Sequence, residues 1–140
     1  MTDHKYYFEH QETPQIEQIL VDGINAEAAK KKGMKPARSF EISVKDSSGT
    51  ILGGTTGFIF HGCLFTDLLW VSEKMRGQGI GRELMLEVEK IGHDRHCTFA
   101  AVNTMDWEAL PFYQKLGYEI EFVREGFDKQ SKMYMLRKNL

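Results

Sequence analysis

The sequence predicts an α+β domain in which a meander of antiparallel strands comes first and helices alternate with strands afterwards. Three apolar segments between residues 40 and 71 are separated by short polar turns, which is the pattern of consecutive hairpins. From residue 79 onward, apolar residues spaced by three and four positions alternate with short strand-like runs. A run of antiparallel strands combined with helices is typical of α+β folds.

The N-terminal part is predicted to contain one strand and one helix. Residues 5–9 are the predicted first strand. Pro14 opens a helical segment whose apolar residues are three or four positions apart, namely Ile16, Ile19, Leu20 and Ile24. Gly33, followed by Pro36, predicts where this helix ends, because glycine readily adopts the left-handed conformation found after a helix.

The predicted meander begins with a half-exposed strand in which Phe40, Ile42 and Val44 alternate with polar residues. Residues 51–60 return as a second strand, and residues 64–71 form the third. Three glycines inside the second strand indicate a bulge or the close approach of another backbone. These glycines are Gly53, Gly54 and Gly57.

A helix and a buried strand are predicted next. One stripe of apolar residues predicts the helix, and it consists of Ile80, Leu84, Val88 and Ile91. Residues 98–102 form a short, nearly all-apolar run, which indicates a central strand covered on both faces.

The chain is predicted to end with a second core helix and a hairpin. Residues 107–116 have helical spacing, but Pro111 favours a regular start near Ala109. Gly117 stands where a glycine after the helix is expected. The final hairpin is predicted over residues 118–123 and 132–137, both of which alternate apolar and polar residues.

Composition excludes several classes of protein. A chain of 140 residues is long enough for one domain with a proper core and too short for two. The formal net charge of −2 lacks the basic excess that nucleic-acid binding requires. No apolar run has the length of a membrane span, and no signal-peptide pattern opens the chain. With only Cys63 and Cys97, we expect a soluble protein of the reducing cytoplasm.

The most informative segment is the glycine-rich turn that follows the third strand and enters a helix. Gly77, Gly79 and Gly81 have no Cβ, so the backbone can approach a ligand closely. The helix start offers free N–H groups and the positive end of the helix dipole, and Arg76 adds a permanent charge. The segment therefore predicts a phosphate-bearing ligand. The spacing fits neither the Walker A pattern nor the dinucleotide fingerprint.

The run Arg76-Gly-Gln-Gly-Ile-Gly81 follows the pattern Gln/Arg-x-x-Gly-x-Gly/Ala and resembles motif A of the GNAT superfamily of N-acetyltransferases. The segment Ala-Leu-Pro-Phe-Tyr-Gln-Lys-Leu-Gly-Tyr at residues 109–118 is similar to motif B of that family. The two motifs occur in the family's order, with the strand at residues 98–102 between them. The resemblance covers residues 38–137.

This resemblance implies a fold and an activity. The fold would be a mixed, mostly antiparallel central sheet, splayed apart at its centre and flanked by helices, within one domain over residues 1–140. The activity would be transfer of an acetyl group from acetyl-CoA, as co-substrate, to a primary amine. Direct attack in a ternary complex would need neither a metal nor a covalent intermediate. We expect a small-molecule acceptor rather than a protein, and the resemblance leaves a homodimer open.

Two other classes of function stay open. One is a GNAT-fold module that binds coenzyme A or an acyl-CoA without catalysis. The other is an interaction domain whose glycine turn is purely structural. Binding of acetyl-CoA would distinguish the enzyme from the interaction domain. Acetyl transfer would distinguish the enzyme from the non-catalytic module.

The resemblance also implies which residues bind the coenzyme. The backbone of the strand before motif A would bind the pantetheine amides through Leu69, Trp70 and Val71. The turn would bind the pyrophosphate through Arg76, Gly77, Gln78, Gly79, Ile80 and Gly81. Asn103, just after the predicted strand, would contact the pantetheine arm, and Tyr113 would lie near the sulfur.

Two residues are candidates for catalysis. Tyr113 is the candidate general acid, because it lies off the predicted core stripe of Phe112 and Leu116 and its hydroxyl can face a cleft. The alternative is a core tyrosine with a backbone partner. Asp67 is the candidate base or amine anchor, since strand alternation places it on one face with Leu69 and Val71. The alternative for Asp67 is a turn carboxylate with no chemical role.

Acidic residues near the predicted site favour a cationic acceptor by electrostatic attraction. These residues are Asp67, Glu73, Asp106 and Glu108. Glu73 or a water relay is an alternative base. His93 and His96 have a spacing that metal sites use, but their place at a helix end favours a capping role.

Overall fold

The computed structural model describes residues 5–140, which divide into two compact units, one ending at Pro36 and one running from Ala37 to Leu140. The first unit contains helix α1 (Ile16–Lys32). As predicted, α1 ends at Gly33, whose φ of 65° is left-handed and whose N–H bonds to carbonyls of the last turn. None of the residues in α1 is buried.

The strand predicted at residues 5–9 is wrong. This segment forms no regular secondary structure, and its aromatic side chains Tyr6, Tyr7 and Phe8 are largely exposed. A strand needs a neighbour to accept its hydrogen bonds. Apolar composition alone therefore does not make this segment a strand.

The second unit is a six-stranded sheet with two helices. Its elements are β1 (Arg38–Lys45), β2 (Ile51–Phe60), β3 (Cys63–Val71), α2 (Ile80–Asp94), β4 (Phe99–Met105), α3 (Leu110–Lys115), β5 (Glu119–Phe127) and β6 (Ser131–Asn139). The strand order is β1-β2-β3-β4-β6-β5, and every neighbouring pair is antiparallel except β3 with β4. The predicted α+β class and mostly antiparallel sheet are confirmed.

The sheet splays where its two parallel strands separate. Strands β3 and β4 pair only from Cys63 opposite Phe99 to Thr66 opposite Val102. Beyond these pairs, β3 continues to Val71, and within residues 5–140 only β2 pairs with this part of it. We call this opening between the ends of β3 and β4 the fork. It confirms the splayed centre that the sequence resemblance implies.

A β-bulge lies at the base of the fork. Gly57 of β2 is opposite Thr66, whereas the preceding residue, Thr56, is opposite Leu68. Asp67 is therefore an extra residue on β3. Gly57 makes this possible, because a Cβ there would lie 2.1 Å from the carbonyl oxygen of Phe65. The glycines of β2 thus mark both predicted features, a bulge and a close backbone approach.

The bulge changes which side chains share a face of the sheet. Leu64 lies against Gly92 of α2, so Leu64 and Thr66 are on the face that α2 covers, here called the helix face. Leu69 pairs with Thr55 and packs against the core on that same face. Side chains in a regular strand alternate between faces, so residues three positions apart, such as Thr66 and Leu69, normally lie on opposite faces. Their common face is explained by the extra residue between them.

The opposite face, here called the outer face, therefore carries Asp67, Leu68 and Trp70. All three are exposed, with 64% of the surface of Leu68 and 55% of that of Trp70 accessible to solvent. The prediction that Asp67 shares a face with Leu69 and Val71 is wrong. Strict alternation holds only in a strand without an inserted residue.

The core lies between the helix face of the sheet and the two helices. Its fully buried side chains are Leu64, Met85, Val88 and Leu136, and each contributes about 2 kcal/mol through burial. Helix α3 begins after Ala109, as Pro111 favours, so the longer helix predicted from residue 107 is wrong at its start. Within residues 5–140, no helix is long and apolar enough to cross a membrane.

Candidate functional site

A cavity of about 820 Å³ opens on the fork. One wall is the end of β3, and a second is the glycine-rich turn with the start of α2. The third wall is the turn between β4 and α3 together with α3 itself, which contribute Trp107, Glu108, Ala109, Phe112, Lys115 and Leu116. The cavity therefore joins the open edge of a strand to the N-terminus of a helix.

The N-terminus of α2 has free hydrogen-bond donors at the cavity. Gly79 precedes the helix with a φ of 83°, and its carbonyl oxygen accepts the first helical bond from the N–H of Glu83. The N–H groups of Ile80, Gly81 and Arg82 therefore have no acceptor inside the helix. No side chain caps this end. Such a helix start stabilises an anion by hydrogen bonds and by the helix dipole.

Glycine is required in the turn by its backbone conformation. Gly77 has a φ of 79°, and Gly79 a φ of 83°, both in the left-handed region that L side chains adopt at a cost. No atom lies within 4 Å of where a Cβ would be at either position. The space beside the turn is therefore open, and a ligand can approach the backbone there.

Arg76 stabilises the same turn. Its Nε donates a hydrogen bond to the carbonyl oxygen of Val71 at 2.9 Å, which closes the segment between β3 and α2. Arg82 and Lys115 are two further cations on the cavity wall, and Glu108 is the acidic residue among them. The walls therefore favour an anionic ligand.

Most residues predicted to bind the coenzyme lie on the walls of this one cavity. They are Leu69, Trp70, Val71, Arg76, Gly77, Gly79, Ile80 and Gly81. Gln78 is exposed in the turn without contributing to the wall. Asn103 and Tyr113 also lie outside the cavity lining.

Asn103 lies within β4, not after it, because the strand continues to Met105, three residues beyond its predicted end at residue 102. It pairs with Met135 of β6, and its neighbour Val102 is buried in the core. Because side chains alternate along a strand, Asn103 is on the outer face, with Asp67.

Tyr113 belongs to the core, contrary to the prediction that it lies off the core stripe. Only 5% of its surface is exposed, and its ring contacts Phe112 and Tyr118 edge to face, with centroids 5.1 and 5.6 Å away. Burial, and then the charge of Glu108, raise the pKa of Tyr113 to about 12. The phenol is therefore protonated at neutral pH, as a general acid must be.

The turn before α3 is fixed by hydrogen bonds at the cavity edge. The Glu108 carboxylate accepts a bond from the N–H of Met105 at 2.8 Å, and the Thr104 hydroxyl accepts one from the N–H of Ala109 at 3.1 Å. Of the four acidic residues predicted near the site, only Glu108 lines the cavity. The carboxylates thus do not form one acidic pocket.

Sequence reasoning missed several wall residues. Phe112 was assigned to the core, but its ring also lines the cavity and lies 3.4 Å from the position of a Cβ on Gly81. Leu116 was likewise predicted only as a core residue, and Met75, Arg82, Trp107, Ala109 and Lys115 were not predicted as wall residues. The signal for Lys115 and Leu116 was their place in the motif B helix. Among residues 5–140, no group of three or more potential ligands could hold a metal ion.

Comparison with known proteins identifies relatives over most of the chain. The family described as "Acetyltransferase (GNAT) family" matches residues 5–118. Acetyltransferase Atu2258 of Agrobacterium fabrum is 31% identical over 104 residues, which cover 74% of this chain and 76% of the relative. Blasticidin-S acetyltransferase of Streptomyces morookaense is 36% identical over 87 residues, covering 61% of this chain and 64% of that protein.

A solved structure has the same fold as this chain. The crystal structure of a protein described as an acetyltransferase from Agrobacterium tumefaciens superposes with a TM-score of 0.84 at 25% identity, covering 97% of this chain and 99% of the other. The family match spans both the glycine-rich turn and the helix that bears Phe112 and Tyr113. The chain therefore belongs to the GNAT family and is an acetyltransferase.

Proposed function

We propose that this enzyme transfers the acetyl group of acetyl-CoA to the primary amine of a small molecule. The observation that carries the proposal is the cavity that joins the free N-terminus of α2 to the unpaired edge of β3. These two features suit the two parts of one ligand, an anionic pyrophosphate and an extended chain of amides. We include residues 1–140 in one catalytic domain, which the family match over residues 5–118 supports.

The pyrophosphate is proposed to bind at the start of α2. The N–H groups of Ile80, Gly81 and Arg82 supply donors without internal acceptors. Gly77 and Gly79 keep the approach open. The cations of Arg82 and Lys115 on the cavity wall complement further phosphate charge.

The pantetheine arm is proposed to lie along β3. Because β4 leaves β3 after Thr66, no strand in the described part of the chain pairs with that edge of Leu69, Trp70 and Val71. An extended amide chain can bind there as an additional strand would, by backbone hydrogen bonds. Bound in this way, the arm would run along β3 from the glycine-rich turn to the fork.

Chemistry is proposed to take place at the fork. The amine nitrogen attacks the carbonyl carbon of the thioester, so that a C–N bond forms and the C–S bond breaks. The Tyr113 hydroxyl donates its proton to the leaving thiolate sulfur, and the surplus proton of the amine passes to the Asp67 carboxylate or to water. Tyr113 packs on the helix face and Asp67 lies on the outer face, so the proposed acid and the proposed base lie on opposite faces of the sheet.

A small-molecule acceptor is supported by one relative, whose name states that it acetylates blasticidin S. The test is release of the coenzyme A thiol from acetyl-CoA with a panel of primary amines, combined with mass spectrometry of the product. We expect amine-dependent release and an acetylated amine. The Tyr113→Phe variant should bind acetyl-CoA normally and turn over at least tenfold more slowly. Binding without turnover by any amine would favour the non-catalytic module instead.

A further inference from the structure

The gap between β3 and β4 also opens on the outer face of the sheet, and we call this opening the second mouth of the fork; of its residues, Trp70 also lines the coenzyme cavity. The bulge turns Asp67 and Leu68 to this face, and Trp70 follows one position beyond Leu69. Without the extra residue, Leu68 and Trp70 would face α2 instead. The bulge therefore builds a mouth from one carboxylate and two large apolar side chains.

Leu68 and Trp70 form an apolar platform beside the carboxylate. Residues two positions apart in a strand lie about 6–7 Å from each other on one face. More than half of each side chain is exposed, at 64% and 55%. An indole and an isobutyl group left open beside a site are typical of surfaces that bind an apolar ligand group.

The other arm of the fork is also low in charge on this face. Asn103 and Met105 of β4 alternate with the buried Val102 and Thr104, so they point to the outer face. Met105 pairs with Met133 of β6. A polyamine carries several ammonium groups, each of which needs an anionic partner. Asp67 is the carboxylate that the bulge supplies at this mouth.

We infer that the acceptor is an arylalkyl primary amine, in which a single ammonium group binds at Asp67 and a flat apolar group packs on Trp70 and Leu68. This inference rests on the proposed function and names its substrate class. It narrows the expectation of a cationic acceptor to an amine with a single ammonium group, because only one of the four predicted carboxylates, Glu108, lines the cavity. Trp70 and Leu68 then determine specificity without touching the reacting atoms.

The test is steady-state kinetics at saturating acetyl-CoA with three acceptors: 2-phenylethylamine, butylamine and spermidine. We expect the aryl amine to have a kcat/KM at least tenfold above the other two. The Trp70→Ala variant should lose at least tenfold in kcat/KM for 2-phenylethylamine and much less for butylamine. Leu86→Ala is the matched control, because Leu86 is an exposed apolar residue on α2 that does not line the cavity.

Two results would overturn the inference while leaving the proposed function intact: better turnover of spermidine, or an aryl preference that Trp70→Ala does not change. If no amine is acetylated, the proposed function fails, and a binding measurement still decides the inference. In that case 2-phenylethylamine is titrated calorimetrically into the protein saturated with desulfo-CoA. Binding that Trp70→Ala weakens tenfold supports the aryl site, and absence of binding contradicts it.

Discussion

Replacing Gly57 by alanine tests the bulge that divides the two faces of the fork. The new Cβ would lie 2.1 Å from the carbonyl oxygen of Phe65 and 2.5 Å from the ring of Phe40. Both distances are far below contact distance, and the nearer atom belongs to the backbone. Strands β2 and β3 must therefore move apart at the bulge.

The cost can be estimated from its parts. Crowding a packed core costs about 1–3 kcal/mol, and each ladder hydrogen bond weakened beside Gly57 costs about 1 kcal/mol. With two such bonds weakened, we expect Gly57→Ala to lose about 3–5 kcal/mol of unfolding free energy. For a domain of this size, that loss lowers Tm by roughly 10–15 °C.

Thermal unfolding followed by circular dichroism measures this loss, with Gly23→Ala as the matched control. Gly23 lies inside α1 with no atom within 4 Å of its missing Cβ, so alanine there should stabilise the helix by up to about 1 kcal/mol. A second variant, Phe40→Leu combined with Gly57→Ala, should recover only part of the loss, since the carbonyl contact persists. A Gly57→Ala protein within about 1 kcal/mol of the parent would refute the reasoning.

Three further predictions concern aromatic residues. Among residues 5–140, the buried hydroxyl of Tyr118 has no hydrogen-bond partner, so Tyr118→Phe should leave the free energy of unfolding at neutral pH unchanged or raise it by about 1 kcal/mol. A loss above about 1 kcal/mol in thermal unfolding would reveal a partner for this hydroxyl. Because the pKa of Tyr113 is raised to about 12, its contribution to stability is complete below pH 10 and is lost as the pH rises towards 12. Urea unfolding between about pH 10 and 12 should show that the free energy of unfolding falls less with pH in Tyr113→Phe than in the parent protein. The same dependence on pH in both proteins would contradict the raised pKa. Trp70 and Trp107 both line the cavity, so acetyl-CoA should change intrinsic fluorescence in the parent protein, and each single variant, Trp70→Phe or Trp107→Phe, should retain only part of that change. A full response in either single variant would show that the replaced tryptophan does not contact the ligand.

Local signals were enough to predict the glycine-rich wall of the cavity. The left-handed turns at Gly77 and Gly79 and the start of α2 follow from a few neighbouring residues, whose conformation depends little on the rest of the fold. The same holds for the ends of α1 and α3 at Gly33 and Gly117, both of which have positive φ.

Features that depend on pairing between strands could not be read from the sequence. The extra residue at Asp67 is defined by the register of β2 against β3, and no local pattern at Asp67 indicates it. The prediction placed Asp67 on the wrong face of the sheet because it did not include this extra residue. Tyr113 was misplaced for a similar reason, because a six-residue helix is too short for its apolar spacing to define a single buried face.

Calorimetric titration with acetyl-CoA tests the central claim, that the cavity at the start of α2 binds the coenzyme. The claim predicts micromolar binding, about −8 kcal/mol, for the parent protein and for Leu86→Ala. Affinity should fall at least tenfold in the Arg76→Ala, Gly79→Ala double variant, with thermal unfolding confirming that this variant is folded. Absence of binding to the parent, or equal binding to the folded double variant, would contradict the claim.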